Sequence, residues 1–164
     1  MQHSVYLSLG SNIKPEINIP KALRKLEEKL TLAEVSAAWC TRAIGTKGPD
    51  FVNLAVHIFT IFEESILKEE ILCGIERQMG RIRTEDKFAP RPIDIDIILF
   101  DNQLLDENLA SMSYLLLPFS ELLPDFTPPT SVSTLKELSQ NPDVLISAKR
   151  LQDFPQQDCL GKAF

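Results

Sequence analysis

Residues 81–100 read RIRTEDKFAPRPIDIDIILF. The last eight, 93–100, alternate as a half-buried strand does, except that Asp94 and Asp96 fill the polar positions. Alternate side chains of a strand share a face, so Asp94, Asp96 and Ile98 point one way and Ile93, Ile95 and Ile97 point into a core. The two carboxylates then lie roughly 6.6 Å apart along the backbone, at about 3.3 Å per residue. At an effective dielectric of about 20 they repel by roughly 2–3 kcal/mol, and aspartate is in any case a poor strand former. A divalent cation offsets both costs. Mg²⁺ takes oxygen ligands, needs only one or two carboxylates, and completes its shell with water and phosphate oxygens; adjacent carboxylates can also share two ions. A solvated polar edge is the plain alternative.

The residues in front of the strand bear on that choice. Arg77, Arg81, Arg83, Lys87 and Arg91 cluster there, and Glu85 and Asp86 are the only acids between 78 and 91. Local positive charge on a Pro-punctuated loop that feeds a carboxylate pair suits a polyphosphate. A metal meets the phosphate oxygens from one side and guanidinium groups meet them from the other. The chain has no GxxxxGK[ST] loop and no protein-kinase motif set. Its histidines are His3 and His57, the latter inside an apolar stretch and expected at the core or an edge, so no nucleophilic triad is visible. Phosphoryl-type transfer needs none, because positioning and electrostatics supply most of the catalysis.

Outward from this stretch, VYLSL (5–9) reads as a strand stopped by Gly10-Ser11-Asn12. A helix follows, with Ile19, Leu23, Leu26 and Leu30 on its apolar face and Pro20 in its first turn. A strand within 31–43 puts Val35, Ala37 and Trp39 on one face; FVNLAVHIF (51–59) is another strand; Ser65 begins a helix running to about Met79 with Ile71, Leu72 and Ile75 buried. Residues 80–92 form a long loop, and Asp101-Asn102 turns the chain after the strand. The order β-α-β-β-α-β is the ferredoxin-like plan, an α+β fold with two helices on one face of an antiparallel sheet. Beyond 103, LLLPFSELLPDF suggests short helices and turns. One domain is expected over 1–164, with its core at about 4–126 and a peripheral C-terminal segment over 127–164.

The bulk composition is that of a soluble globular protein. The chain has 164 residues, 44% hydrophobic and 24% charged, with a formal net charge of −6; a general nucleic-acid binder would more often be basic. Cys40, Cys73 and Cys159 form no CxxC pair and read as small buried groups in a reducing, cytoplasmic setting. MQHSVYLSLGSN lacks the basic-then-apolar pattern of a signal peptide, and no apolar run approaches the roughly 20 residues that span a bilayer.

With these residues assembled, the chain resembles the 6-hydroxymethyl-7,8-dihydropterin pyrophosphokinase family of folate synthesis. GRIRTEDKFAPRPIDIDIILF (80–100) is similar to that family's GRxR…PRxxDxDIxxF signature. YLSLGSN (6–12), GPDFVNLAV (48–56) and LPFSELLPD (117–125) resemble its other segments in the same order. The resemblance implies transfer of a pyrophosphoryl group from ATP to a pterin hydroxymethyl group, assisted by two Mg²⁺ ions, in a cytoplasmic monomer that engages neither nucleic acid nor membrane. It implies that Asp94 and Asp96 hold the metal, and that Arg81 and Arg91 contact the transferring phosphates. Arg83, Phe88 and Ile97 fall with the ATP-binding residues. For the pterin it implies an edge hydrogen bond from Asn53, a sandwich between Phe51 and Tyr114, and contacts from Thr41 to Gly45, with Ile44 apolar.

The sequence also departs from the pattern. DENLASMSY (106–114) lacks the Pro-His pair and the arginine that the family carries there to help hold ATP, and the T-x-P-x-G turn becomes TRAIGTKG (41–48). Two alternatives therefore stand beside the main expectation. One is a pterin-binding homologue with weakened use of ATP; the other is a non-enzymatic ferredoxin-like binding module, for which no aromatic-rich RNA-binding strand is present.

Overall fold

The structure, a computed structural model, describes residues 1–45 and 47–154, and Cys159 lies outside them. Strand β1 (His3–Ser11) is followed by α1 (Pro15–Glu27), β2 (Thr31–Val35), β3 (Trp39–Thr41) and β4 (Phe51–Thr60). Helix α2 (Glu64–Ile66) runs through a π-helical turn (Leu67–Leu72) into α3 (Cys73–Gln78), and β5 (Asp94–Phe100) and β6 (Gln103–Leu104) form a hairpin. After a 3₁₀ turn (Glu107–Ala110) come α4 (Ser113–Leu122), α5 (Leu135–Ser139), α6 (Pro142–Ile146) and β7 (Ala148–Arg150).

The sheet order is β6-β5-β1-β4-β3-β7, with β2 also paired to β4, and every pairing is antiparallel. With β2 and β3 taken as one interrupted strand, the inner four strands reproduce the ferredoxin-like order. Val5, Leu7 and Leu9 of β1, Leu54, Val56 and Ile58 of β4, and Ile93, Ile95 and Ile97 share one apolar cluster with Ile19, Leu23 and Leu26 of α1 and Leu72 and Ile75 of the second helix. On the other face Tyr6, Ala55, Ile98 and Leu99 pack with Leu115, Leu116 and Phe119 of α4. That third layer covers part of the face only; the rest is the floor of a cleft.

Several local details differ from the sequence-based expectations. β1 does not stop at Gly10. It continues through Ser11, because Gly10 pairs with both Asn53 and Asp94, and a Cβ there would lie 2.9 Å from Asn53 Oδ1. Helix α1 starts at Pro15, a full turn before Pro20, which is therefore inside the helix. The expected strand over 31–43 is two strands. Ser36 breaks it, its N–H donating to Ala55 O and its Oγ accepting from Ala55 N, which replaces ladder bonds with a side-chain clamp. A register shift opposite Tyr6/Leu7 puts Ile98 and Leu99 on the same side of β5, so Phe100 returns to the helix-covered core. The Asp101-Asn102 turn is as expected, with φ of 46° and 68°, the left-handed pair a tight hairpin requires and Asp and Asn tolerate.

His57 is half-buried, stacked at 4.2 Å on Tyr6 and bonded to Ser4 Oγ at 2.8 Å, and burial lowers its pKa. His3 does the opposite. Its Nδ1 lies 2.6 Å from Asp101 and its Nε2 3.5 Å from Glu63, and the hydrogen bond it donates to Asp101 raises its pKa while the same bond lowers that of Asp101. A raised folded-state pKa contributes stability that is full below the unfolded value of 6.5 and is lost as pH rises through the folded value. His3→Asn is expected to lower the melting temperature clearly at about pH 6 and much less at about pH 9, in thermal melts across that range. An equal loss at both ends would show that His3 contributes packing alone.

Candidate active site

Cross-strand register builds the floor of the cleft. Trp39 pairs with Asn53, Asn53 with Gly10, and Gly10 with Asp94, so these side chains form one row across β3, β4, β1 and β5 on the face away from α1. The next row on that face is Ala55, Ser8 and Asp96. Glycine and serine in the central strand keep the floor low between the amide on one side and the carboxylates on the other. The resulting cavity holds about 290 Å³ and is bounded by Thr41, Ile44, Phe51, Asn53, Phe88 and Tyr114 on its apolar side and by Arg91, Asp94 and Asp96 on its charged side. A second groove of about 180 Å³ lies along the loop, lined by Arg81, Arg83, Lys87 and Arg91 among others.

The structure thus brings together most of the residues singled out in the sequence. Asn53 is buried and donates from Nδ2 to Thr41 Oγ1 at 2.8 Å, which orients its amide. Phe51 sits on the floor with the Arg91 guanidinium 6.0 Å from its ring. Tyr114 enters from the first turn of α4, and burial together with the charges of Asp106, Asp96 and Asp94 raises the pKa of its hydroxyl. Ile44 is largely exposed at the rim. Two residues expected with ATP differ in setting from the arginines. The Ile97 side chain packs in the helix-covered core, as strand alternation requires, so only its backbone is available to a nucleotide. Phe88 lines the main cavity with the residues placed at the pterin and lies against Gly45, whose φ of +75° and lack of a Cβ admit the ring.

The charges are organised by two residues that the sequence analysis passed over. Glu76, 2% exposed, accepts from Arg81 at 2.5 Å and Arg83 at 3.3 Å, and also from the backbone N–H of Ile95 at 2.8 Å. Asn12, 5% exposed, accepts from Arg91 N at 2.8 Å and donates to Pro49 O at 3.4 Å, tying the arginine loop to the loop before β4. Glu76 looked like an ordinary helix charge. Its only signal was its place one turn before Gly80-Arg81 on a face otherwise marked by Leu72 and Ile75. Asp94 is bound by both loop arginines: Arg81 donates to Oδ1, and Arg91 donates to Oδ2 at 2.7 Å. Burial works against the Arg81 cation, but Asp94 and Glu76 outweigh it and raise its pKa.

Asp96 has no ion-pair partner among the described residues. Although it opens on the cleft, the protein around it strips much of its hydration, and the negative charges of Asp94 and Glu76 add to the effect, pushing its pKa up to about 6. An uncompensated carboxylate beside a second one fits a hard divalent cation. Among the described residues no group of three or more His, Cys, Asp or Glu side chains could hold a metal alone, so such an ion must draw further oxygens from a bound ligand or water.

A ferredoxin-like sheet whose open face sets aromatic walls and a fixed amide beside carboxylates and arginines defines a class, a transferase that joins a flat heterocycle to a polyphosphate. Comparison with known proteins makes this specific. Residues 6–124 match 7,8-dihydro-6-hydroxymethylpterin-pyrophosphokinase (HPPK). The chain is 33% identical over 162 residues to the 2-amino-4-hydroxy-6-hydroxymethyldihydropteridine pyrophosphokinase of Aquifex aeolicus (strain VF5), covering 96% of this chain and 93% of that one. It is 32% identical over 141 residues to the enzyme of the same name from Pseudomonas aeruginosa, covering 79% and 86%. The fold matches that of Plasmodium falciparum HPPK-DHPS with a TM-score of 0.69 at 13% identity; the match takes in 92% of this chain and 47% of that one, so the chain spans about half of that longer protein. The chain belongs to the HPPK family and is a pyrophosphokinase of folate biosynthesis with ATP as its co-substrate.

The native state holds the Asp96 proton more tightly than the unfolded chain does, its pKa being about 6 against 3.8. Its ionisation therefore destabilises the ligand-free fold above that pH, and the cost vanishes as pH falls below the unfolded value. Asp96→Asn is expected to melt at a higher temperature than the parent at about pH 8, with the difference closing by about pH 4. A variant less stable than the parent at about pH 8 would contradict this account of the cleft's electrostatics.

Proposed function

We propose that this chain moves the β- and γ-phosphoryl groups of ATP together onto the hydroxymethyl oxygen of 6-hydroxymethyl-7,8-dihydropterin through the cleft described above. The hydroxymethyl oxygen bonds to the β-phosphorus, the bond from that phosphorus to the oxygen bridging it to the α-phosphate breaks, AMP leaves, and the hydroxyl proton passes to water. The observation that carries this reading is the row formed by Asn53, Gly10 and Asp94, which sets a heterocycle-binding amide and a charged phosphate end one strand apart on either side of a residue with no side chain.

In this reading the pterin lies between Phe51 and Tyr114. Asn53, its Nδ2 committed to Thr41, offers Oδ1 to the donors of the ring edge, and Ile44 covers the rim. Arg81, Arg83, Lys87 and Arg91 take the phosphates along the loop groove, with Phe88 closing over the junction. Asp94 and Asp96 would hold Mg²⁺, two ions in the full arrangement, whose chemistry is neutralisation of the phosphate oxygens. Before ligand arrives Arg81 and Arg91 are already aimed at Asp94. They need only change partner from a carboxylate to a phosphate, which preserves their orientation. The same reading has the enzyme working as a monomer in the cytoplasm, with neither nucleic acid nor membrane as a partner. No helix among the described residues is long and apolar enough to cross a membrane.

The 106–114 segment favours looser binding of ATP. It folds as a 3₁₀ turn capped by Asp106, and the charge of Asp106 reaches Asp96 and Tyr114, so this wall brings an acid and no cation to the site.

Mass spectrometry of a reaction containing ATP, Mg²⁺ and the hydroxymethyl pterin is expected to show AMP and the pterin diphosphate; ADP would point instead to ordinary kinase chemistry. Asp94→Asn and Asp96→Asn should each remain folded and nearly abolish turnover, because the amide keeps the shape and loses the charge. Calorimetry should then separate the two halves of the site. Asn53→Ala is expected to weaken pterin binding and spare binding of an ATP analogue, whereas Arg91→Ala should lower kcat by roughly ten- to a hundredfold, as the loss of one charge-assisted contact does. An ATP-only defect in Asn53→Ala would reverse the placement of the two substrates.

A further inference from the structure

One carboxylate outside the cleft joins three donors from separate stretches of chain. Glu121, near the end of α4, accepts from the backbone N–H of Ala37 on Oε2 at 2.8 Å. Its Oε1 accepts from the Trp39 indole N–H at 3.0 Å and from Arg150 Nε at 3.1 Å. The donors come from the break between β2 and β3, from β3 itself and from β7, while the acceptor rides on the helix whose first turn carries Tyr114. Trp39 is the direct register partner of Asn53 on one side and of Arg150 on the other, so Arg150, Trp39 and Asn53 continue the row that forms the cleft floor.

We infer that Glu121 is a positioning residue for the heterocycle end of the site: it sets the separation between α4, which carries one wall of the slot, and the β3–β4 pair, which carries the other. The inference rests on the placement of the pterin between Phe51 and Tyr114. Tyr114 and Glu121 are seven residues apart on one helix, about 10 Å at about 1.5 Å per residue. Pro118 between them removes one backbone bond, the one to Tyr114 O, but the helix is continuous from Ser113 to Leu122, so a shift at Glu121 is passed to Tyr114. On the opposite wall, Trp39 lies two residues from Thr41, and Thr41 in turn holds the Asn53 amide. The arginine groove stands apart from this arrangement. It is lined by the loop over 80–92 alone, at the other side of β1, where Glu76 and Asn12 hold it, and Arg91 is the residue it shares with the main cavity. Loosening Glu121 should therefore widen the slot without disturbing the phosphate side. A carboxylate that served stability alone would give no such division.

The test uses the full chain with three variants, E121A, E121Q and R150A. Calorimetry with the hydroxymethyl pterin and, separately, with a non-hydrolysable ATP analogue gives the two affinities, and thermal melts confirm a cooperative fold. E121A is expected to weaken the pterin by about tenfold, the scale of a lost hydrogen bond to a charged group, and to leave the ATP analogue within about twofold of the parent. E121Q keeps one oxygen acceptor and should recover part of the loss; R150A removes one of the three donors and should produce the smallest change. Trp39 is the only tryptophan, so its emission should move to longer wavelength in E121A as the indole loses its partner, and stay near the parent value in E121Q. A folded E121A with parental pterin affinity overturns the inference, as does an equal loss of affinity for both ligands. A parent that binds no pterin overturns the placement of the heterocycle and this inference with it, whereas a parent that binds pterin and is matched by E121A overturns this inference alone.

Discussion

The site depends on β1 being paired antiparallel on both sides. β4 lies along one edge of it and β5 along the other, in a register that sets Asn53, Gly10 and Asp94 in line. Everything chemical follows from that alignment. The apolar half of the cleft is fixed to β4, the carboxylates to β5, and the distance between them to two strand spacings, about 4.7–4.9 Å each. Gly10 is the position that makes the alignment usable. Any side chain there would meet Asn53 Oδ1, the atom expected to read the ring. A register slip of one residue on β5 would exchange Asp94 and Asp96 for Ile93, Ile95 and Ile97, putting charge in the core and closing the site.

Charge in the cleft is arranged in layers around one buried acid. Glu76 neutralises Arg81 and Arg83 from below, and Arg81 and Arg91 together neutralise Asp94, so Asp96 is left as the carboxylate without a cation. The arrangement has a direct chemical consequence. The arginines are pre-oriented by hydrogen bonds, with little side-chain entropy left to lose, and Asp96 stands without an ion-pair partner among the described residues. Glu76 also holds the Ile95 amide, locking the helix that bears the first arginine to the strand that bears the aspartates. The loop over 80–92 has no regular secondary structure and yet is pinned at its start through Glu76 and at its end through Asn12.

The chain after β6 is joined to the rest of the fold at several points. α4 covers the part of the sheet face that the cleft does not use, and β7 extends the sheet beyond β3. Leu151 and Phe154 pack against the helix-covered core. Glu121 joins α4, β3 and β7 by side-chain bonds, which makes the apolar side of the cleft a composite of segments from the middle and the end of the described chain.

Alternation alone determined much of this protein. A period of two placed Asp94 and Asp96 on one face and Ile93, Ile95 and Ile97 on the other, and a polar Asn53 inside an apolar strand required a partner. The order of elements then limited the sheet to a ferredoxin-like plan, and the signature over 80–100 pointed to the chemistry. These features are local, so a linear chain displays them. The tertiary structure decided what depends on partners distant in sequence. The break at Ser36 is made by Ala55, the extension of β1 through Gly10 by its two neighbours, and the side of β5 taken by Leu99 by a register shift against Tyr6. Glu76, Asn12 and Glu121 were illegible for the same reason. Each is an ordinary polar residue until folding brings it to Ile95, Arg91 and Trp39, at separations of 19, 79 and 82 residues. Periodicity reports which face a side chain occupies; it carries no information about which remote donor or acceptor that face will meet.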